Sequence, residues 1–486
     1  MNTVLHWFRR DIRAFDNTGL LGAADAAGRD GRVAGVFIID PRWWDARKGK
    51  LGAHQAAFWL ASVAELQRTL APRHIQLIIR TSSDPVAAVI AAAEEIGAGI
   101  VTYNKEYEPA QIEMDDRLER TAGARGLAVK RYKDAAIFEE QEIRTGAGGI
   151  YSVFTAYKNA YLKRLFGELP ELLPLPQRMA HPTAARTEAL PTLQALGFES
   201  PNLDVRPGEK AAATLLERFI SHGITSYAET RDTPALSLDP KSPGTSRLSA
   251  HLSAGTLSIR QAMHAALAAR ARQKPGSNAR ASCDTFVAEL IWREFYRMIL
   301  YNFPQVVSAP FNENYRRIRW ANNPDHLAAW QNSETGYPIV DAAMMQLRQT
   351  GFMHNRLRMI AAMFLSKDLD VHWMEGERFF MRSLMDYDQA SNVGGWQWSA
   401  STGTDAAPYF RIMNPVLQSE KFDPEGRFIR HFLPALRLVP REYVHAPWKM
   451  PPEVQRAANC RIGTDYPAPI VDHAEAKARS IAKFKA

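Results

Sequence analysis

The chain has 486 residues, 46% of them hydrophobic and 23% charged, a length and balance that describe an ordinary globular protein of two to four domains with room for a large core. Its formal net charge of +8 favours a polyanionic partner such as nucleic acid. Two cysteines, Cys283 and Cys460, are too few for a disulfide framework and lack zinc-ligand spacing. No apolar run is long enough for a membrane span, and the first, Val4 to Phe8, breaks too early for a signal peptide, so a cytoplasmic protein with no metal and no membrane partner is expected.

From residue 1 to about 140, short apolar runs alternate with helical patterns. Val4 to Phe8, Val33 to Ile39, Ile75 to Ile79 and Gly99 to Tyr103 read as buried strands, with Ala53 to Leu70 and Val86 to Ile96 among the helices between them. That alternation predicts a doubly wound parallel sheet. Neither a GxGxxG fingerprint nor a phosphate-binding GxxxxGK[ST] loop is present, so the domain advertises no nucleotide of its own. The stretch Leu169 to Pro207 is rich in Pro, Ala and Thr with little periodicity and reads as a linker crossing the surface. The expected division is an α/β domain at 1–140, an interdomain linker at 141–207 and a larger all-α domain at 208–486.

The second half is periodic at helical spacing in Ala211 to Ile220, Ser258 to Ala271, Phe286 to Tyr301, Ile339 to Leu347, Met353 to Leu369 and Glu375 to Met385. Seven of the 11 tryptophans lie there, several beside Asp, Asn and Arg, which is unusual company for core indoles. Glu289, Trp292, Arg293 and Tyr296 share one helix face opposite Leu290, Ile291 and Phe295, and Asn355, Arg358 and Met359 share another. The turn Thr245-Ser246-Arg247-Leu248-Ser249 offers hydroxyls, main-chain N–H groups and a guanidinium, which suits a diphosphate cradle or an ordinary helix cap. Asp386 to Trp398 sets two acids and an amide before a Gly pair and two tryptophans; it suits either a flat, polar-edged ligand or a loop whose indoles fill volume.

Gly394-Gly395-Trp396-Gln397-Trp398 followed by Ser401 to Arg411 resembles the flavin-site signature of the DNA photolyase/cryptochrome family. Trp7 to Arg13 with Asp16-Asn17 resembles the same family's N-terminal signature, and Tyr151 to Arg164 its lead-in to the interdomain segment. The likeness spans nearly the entire chain and lies nearest bacterial class I cyclobutane pyrimidine dimer photolyases. It implies an N-terminal antenna domain, a helical FAD-binding domain, and light-dependent repair of ultraviolet-damaged DNA by a monomer.

The resemblance also implies residue roles. Tyr227, Thr245, Ser246, Arg247, Leu248, Ser249, Arg293, Asn355, Arg358, Asp386, Asp388 and Asn392 would hold FAD, with Asn392 beside flavin N5. Glu289, Asn355 and Met359 would meet the dimer between Trp292 and Trp398. Trp320, Trp373 and Trp396 would carry electrons from the surface to the flavin, and Arg231, Arg356 and Arg411 would join Trp292 and Trp398 on DNA. His354 reads as structural. In (6-4) photolyases histidines occupy the Asn355 and Met359 positions, so this chain points to cyclobutane dimers. Folate-using relatives carry Asn-Glu and Cys-Lys where this chain has Ala110-Gln111 and Val306-Val307, which disfavours methenyltetrahydrofolate as a second chromophore and leaves a deazaflavin or an empty pocket. A further departure is Phe286, where relatives often carry Trp. The alternatives are a cryptochrome-type blue-light photoreceptor, against which Asn392 speaks, a (6-4) photolyase, and a basic nucleic-acid-binding protein without cofactor.

Overall fold

A computed structural model describes residues 2–485, arranged as two compact units. The first gathers the chain up to Thr225 together with Ser246–Pro304 and Met385–Ala390; the second gathers Ser226–Thr245, Gln305–Leu384 and the chain from Ser391 onward.

The first unit is built on five parallel strands in the order β3-β2-β1-β4-β5: β1 (Thr3–Phe8), β2 (Arg32–Ile39), β3 (Gln76–Thr81), β4 (Ile100–Asn104) and β5 (Ala128–Tyr132). Side chains alternate across the sheet. Val4 and Phe8 of β1 and Val33 and Phe37 of β2 enter one core with α1 (Thr18–Ala27) and α2 (Ala53–Leu70). Leu5, Trp7, Val36 and Ile38 enter a second core with α3 (Pro85–Glu95) and α4 (Pro109–Gly123). Burial on both faces is why these strands appear in sequence as unbroken apolar runs, and the expected doubly wound sheet is present. The fifth strand was not anticipated: β5 carries Lys130 and Arg131, lies at the sheet edge and is largely exposed, so it has no apolar run to betray it.

Leu169 to Pro207 contains no helix or strand. Part of it nonetheless runs along the outer edge of β3, where Thr187 Oγ1 accepts from Ile79 N–H at 3.0 Å and Glu188 N–H donates to the Ile79 carbonyl at 3.1 Å. This covers a strand edge that would otherwise be open to pairing.

Around the sheet stand α5 (Phe154–Glu168), α6 (Ile259–Ala271) and α7 (Asn278–Asn302). A buried charge cluster ties α6 to the loops after β1 and β5. Arg13 Nη2 reaches both Asp134 oxygens at 2.7 Å; Arg260 reaches Asp134 at 2.8 Å and Asp16 at 3.1 Å; the Ser258 hydroxyl donates to Asp16. Burial pushes the Asp134 carboxyl pKa up, but Arg13 and Arg260 outweigh it and hold the group well below the usual carboxylate range.

The second unit is helical: α8 (Pro324–Asn332), α9 (Pro338–Thr350), α10 (Asn355–Met363), α11 (Trp373–Ser383), most of α12 (Gln389–Ala400) and α13 (His473–Lys485). Two histidines begin helices here. His354, fully buried, caps α10 by accepting from Arg356 N–H at 3.2 Å, the structural part expected of it, and His372 caps α11 by accepting from Met374 N–H at 3.2 Å. Asp341 at the start of α9 accepts from Thr335, Gly336 and the Tyr466 hydroxyl, while burial raises its pKa to about 6. Both cysteines are buried, which pushes their thiol pKa values up. Among the described residues no helix is long and apolar enough to cross a membrane.

Removing Asp134 takes away the carboxylate that pairs with buried Arg13 and one of the two that pair with Arg260. Asp134→Ala is expected to cost about 3–5 kcal/mol in urea unfolding at pH 7. Because the folded pKa is depressed, this contribution is present above the unfolded value and fades only as pH falls through the folded one; an acid titration of stability checks the sign.

Candidate active site

In the first unit, α7 displays Glu289, Trp292, Arg293 and Tyr296 along one partly exposed face and buries Leu290, Ile291 and Phe295. Trp292 is held flat by Phe154, whose ring stacks on it at 3.6 Å and 8°. Glu294, on the buried side, accepts from Ile137 N–H at 2.8 Å and Phe138 N–H at 3.2 Å and so fixes the rotation of α7. Arg293 donates to the carbonyls of Leu252 at 2.8 Å and Ala135 at 3.2 Å; burial, then the adjacent Arg297, lowers its pKa to about 9. Asp386 and Asp388 are both buried. Asp388 accepts from Arg297 at 3.0 Å and lines a narrow cleft with Arg10 and Glu108. In the expected phosphate turn, Arg247 adopts φ +55° with its guanidinium 3.6 Å from Asp204; Ser246 Oγ accepts from Leu248 N–H at 3.4 Å, and Ser249 starts a short helix, Ser249–Ala254.

In the second unit, Asn355, Arg358 and Met359 stand on α10, and Arg358 Nε donates to the Met353 carbonyl at 2.8 Å. The α11–α12 pair sets the remaining groups. The Asn392 amide NH₂ donates to the Glu377 carbonyl at 3.1 Å and to its carboxylate at 3.0 Å. One residue earlier Gly376 meets the Trp396 indole so closely that any Cβ there would collide with it. Trp373 lies three residues before Gly376, on the same side of α11. Both indoles are buried, and among the described residues their N–H groups have no acceptor. Trp320 and Trp398 are half-buried. Gln397 anchors α12, donating to the carbonyls of Val306 at 2.8 Å and Ala309 at 3.0 Å and accepting from Phe311 N–H at 2.8 Å.

Two of the three candidate DNA-contacting cations, Arg231 and Arg356, share an acid. Arg356 pairs with Asp232 at 2.6 Å and lies over Phe422, while Arg231 lies over Tyr227 and 4.0 Å from the same Asp232; Arg411 is exposed. Thr245 Oγ1 is buried with no hydrogen-bond partner, an orphaned hydroxyl at the expected phosphate turn.

The sequence reading missed Phe154, Gly376, Glu377, Gln397 and Arg297. Gly376 had a usable signal, since a lone glycine inside a helical pattern marks close approach of another group. It also missed a second, more open cleft at the carboxyl ends of β1 and β2, lined by Trp43, Trp44 and Trp59 together with Arg9, Arg10 and Asp40.

Gly376→Ala pushes a methyl group into the Trp396 ring. An overpacking cost of about 1–3 kcal/mol is expected, with altered near-ultraviolet dichroism from the displaced indole. Unchanged stability and indole signal would show that the two helices have slack at this point.

Two family models match: "DNA photolyase" over residues 4–177 and "FAD binding domain of DNA photolyase" over residues 286–486. The deoxyribodipyrimidine photo-lyase of Escherichia coli strain K12 is 42% identical over 100% of this chain and 99% of its own. Among solved structures, a bacterial class III photolyase from Agrobacterium tumefaciens superposes with a TM-score of 0.88 at 33% identity, covering 100% of this chain and 97% of that one. An archaeal photolyase from Sulfolobus tokodaii, solved with two FAD molecules, gives 0.81 at 29% identity and 99% coverage of both chains. A likeness of this extent, running through the sheet and the helices alike, makes the chain a member of the DNA photolyase family.

Proposed function

We propose that the chain is a deoxyribodipyrimidine photo-lyase that uses FAD and light to split cyclobutane pyrimidine dimers in DNA. The observation that carries this is the face of α7, where a carboxyl group, Glu289, stands one turn from a flat ring, Trp292, clamped by Phe154. A thymine dimer needs both: a hydrogen-bonding partner for its carbonyl edge and an apolar wall for its methylated face. By the family likeness Trp398, Asn355 and Met359 would also meet the dimer, the last two at positions where (6-4) enzymes carry histidines.

The residues present fit a flavin dinucleotide. Thr245 has a buried hydroxyl with no partner, and Arg293, Arg358, Asp386 and Asp388 offer both signs of charge. Because the Asn392 NH₂ is committed to Glu377, the group it presents is its carbonyl oxygen, an acceptor suited to a ring N–H of a reduced flavin. Tyr227 and the turn from Thr245 to Ser249 hold the diphosphate side. When bound, reduced FAD supplies a light-driven electron that opens the cyclobutane ring and afterwards returns.

The chain's own residues do the rest. The dimer leaves the duplex at a cost of a few kcal/mol, less for a lesion that already stacks poorly, and Trp292 and Trp398 replace the lost stacking. A protonated Glu289 carboxyl would donate a hydrogen bond to the pyrimidine carbonyl, where negative charge develops. Arg231, Arg356 and Arg411 hold phosphates, a sequence-blind contribution that weakens with salt. Trp320, Trp373 and Trp396 restore the reduced flavin. The inner two indoles are buried and, among the described residues, their N–H groups have no acceptor, which favours migration of the oxidised site outward to half-exposed Trp320.

We assign light gathering to residues 1–140, with 141–207 as linker and 208–486 as the FAD-binding part, acting as a cytoplasmic monomer on ultraviolet-damaged DNA. The aromatic cavity beside Trp43 and Trp59 is the seat for a second chromophore. Its indole walls and the Lys50 ammonium, 4.7 Å over the Trp43 ring, suit a planar flavin-like or deazaflavin ring better than a folate.

The test is to chemically reduce the FAD-loaded protein, add ultraviolet-treated oligothymidylate, and follow dimers in blue light and in darkness. Loss only in light supports the assignment; loss in both or in neither defeats it, and loss confined to (6-4) products moves the substrate. Glu289→Ala is expected to lower dimers split per absorbed photon several-fold while weakening DNA binding less than about tenfold, or 1.4 kcal/mol. For the second cavity, Trp59→Arg is expected to abolish uptake of added deazaflavin while FAD content stays at the wild-type level.

A further inference from the structure

Trp320 and Trp373 are each in ring contact with the imidazole of His372 and, among the described residues, not with one another. His372 lies near-parallel to Trp373, with centroids 5.6 Å apart at 30°, and edge-on to Trp320 at 5.5 Å and 66°. The ring is held in place. His372 N–H donates to Asn322 Oδ1 at 2.8 Å, and Asn322 N–H donates in turn to the Asp370 carbonyl at 3.1 Å, so the loop carrying Trp320 is clamped to the loop before α11. His372 Nδ1 accepts from Met374 N–H at 3.2 Å, which leaves the ring proton on Nε2 and the imidazole neutral. The positive group over Trp320, Lys483, lies 5.7 Å from its ring and is itself paired with Asp370.

We propose that His372 is a positioning residue of the photoreduction route, a neutral π bridge that couples half-exposed Trp320 to buried Trp373. The inference rests on the reading of Trp320, Trp373 and Trp396 as electron donors to the flavin. One electron leaves Trp320 for oxidised Trp373, which is thereby restored; Trp320 releases its indole proton to solvent, and a small thiol in solution later returns an electron and a proton. Imidazole is harder to oxidise than indole, so the ring does not hold the charge. It occupies the gap with overlapping orbitals and keeps water out of it.

The ring and the cap can be separated. His372→Asn keeps a side-chain acceptor for the first turn of α11 and removes the ring, whereas His372→Phe keeps a ring and removes the acceptor. The FAD-loaded, oxidised holoprotein is flashed with blue light in the presence of a thiol, and the tryptophanyl radical is followed by transient absorption and electron paramagnetic resonance. FAD per chain and the unfolding midpoint are measured alongside. His372→Asn is expected to lower the yield of the Trp320 radical by about tenfold, and His372→Phe to stay within about twofold of wild type. Wild-type yield in His372→Asn, or an equal loss in both variants, overturns the bridge. Trp320→Phe separates the two claims. If it abolishes the long-lived radical while His372→Asn does not alter it, the tryptophan route stands and the bridge falls; if it leaves the radical unaltered, the route itself is wrong.

Discussion

The contact on which the catalytic half depends is the one between Gly376 and the ring of Trp396. With no side chain at that position, an indole can lie against α11, and the next residue, Glu377, can reach the Asn392 amide one turn away on α12. One helix pair therefore sets both the Trp396 indole, proposed as the innermost electron donor, and the Asn392 amide, proposed to face the flavin. Burial of an indole of this size stabilises by several kcal/mol, at about 25 cal/mol per Å² over roughly 150–250 Å². His372 caps the same helix and Trp373 begins it, with their rings near-parallel.

The first unit relies on a different constraint. Two arginines and two aspartates, almost wholly withdrawn from water, join the loops after β1 and β5 to α6. Buried ion pairs add little net stability over an apolar replacement, because desolvation offsets the Coulomb gain. What they confer here is geometry: each carboxylate accepts from partners in different elements, so those elements have one mutual arrangement. Glu294 does the same for α7 by accepting two main-chain N–H groups, which turns Glu289 and Trp292 to the opposite, open side.

Much of this was legible in the sequence. Four of the five strands were visible because both faces of the sheet are buried, and α7 and α10 were visible because their apolar residues recur at helical spacing. The face shared by Glu289, Trp292 and Arg293 followed from that spacing alone. The residues that escaped are those whose work depends on a distant partner. Nothing local tells that Phe154 stacks on Trp292 from 138 positions away, that Arg297 donates to Asp388, or that Gln397 binds the Val306–Phe311 segment. β5 escaped for the opposite reason, being an exposed edge with no apolar pattern to detect. The family roles of single residues came from motif likeness, and the geometry adds what motifs cannot carry, such as the commitment of the Asn392 NH₂ to Glu377.

The central claim is that light absorbed by reduced FAD drives the splitting of a pyrimidine dimer held against Glu289 and Trp292. An action spectrum tests it most directly: the rate of dimer loss on a single-lesion oligonucleotide, measured with pre-reduced protein at wavelengths from the near ultraviolet to the green. The account predicts a spectrum that follows the absorption of the protein-bound reduced flavin, with any second chromophore adding its own band. Dimer loss that ignores wavelength, or that tracks only the absorption of tryptophan, would contradict it.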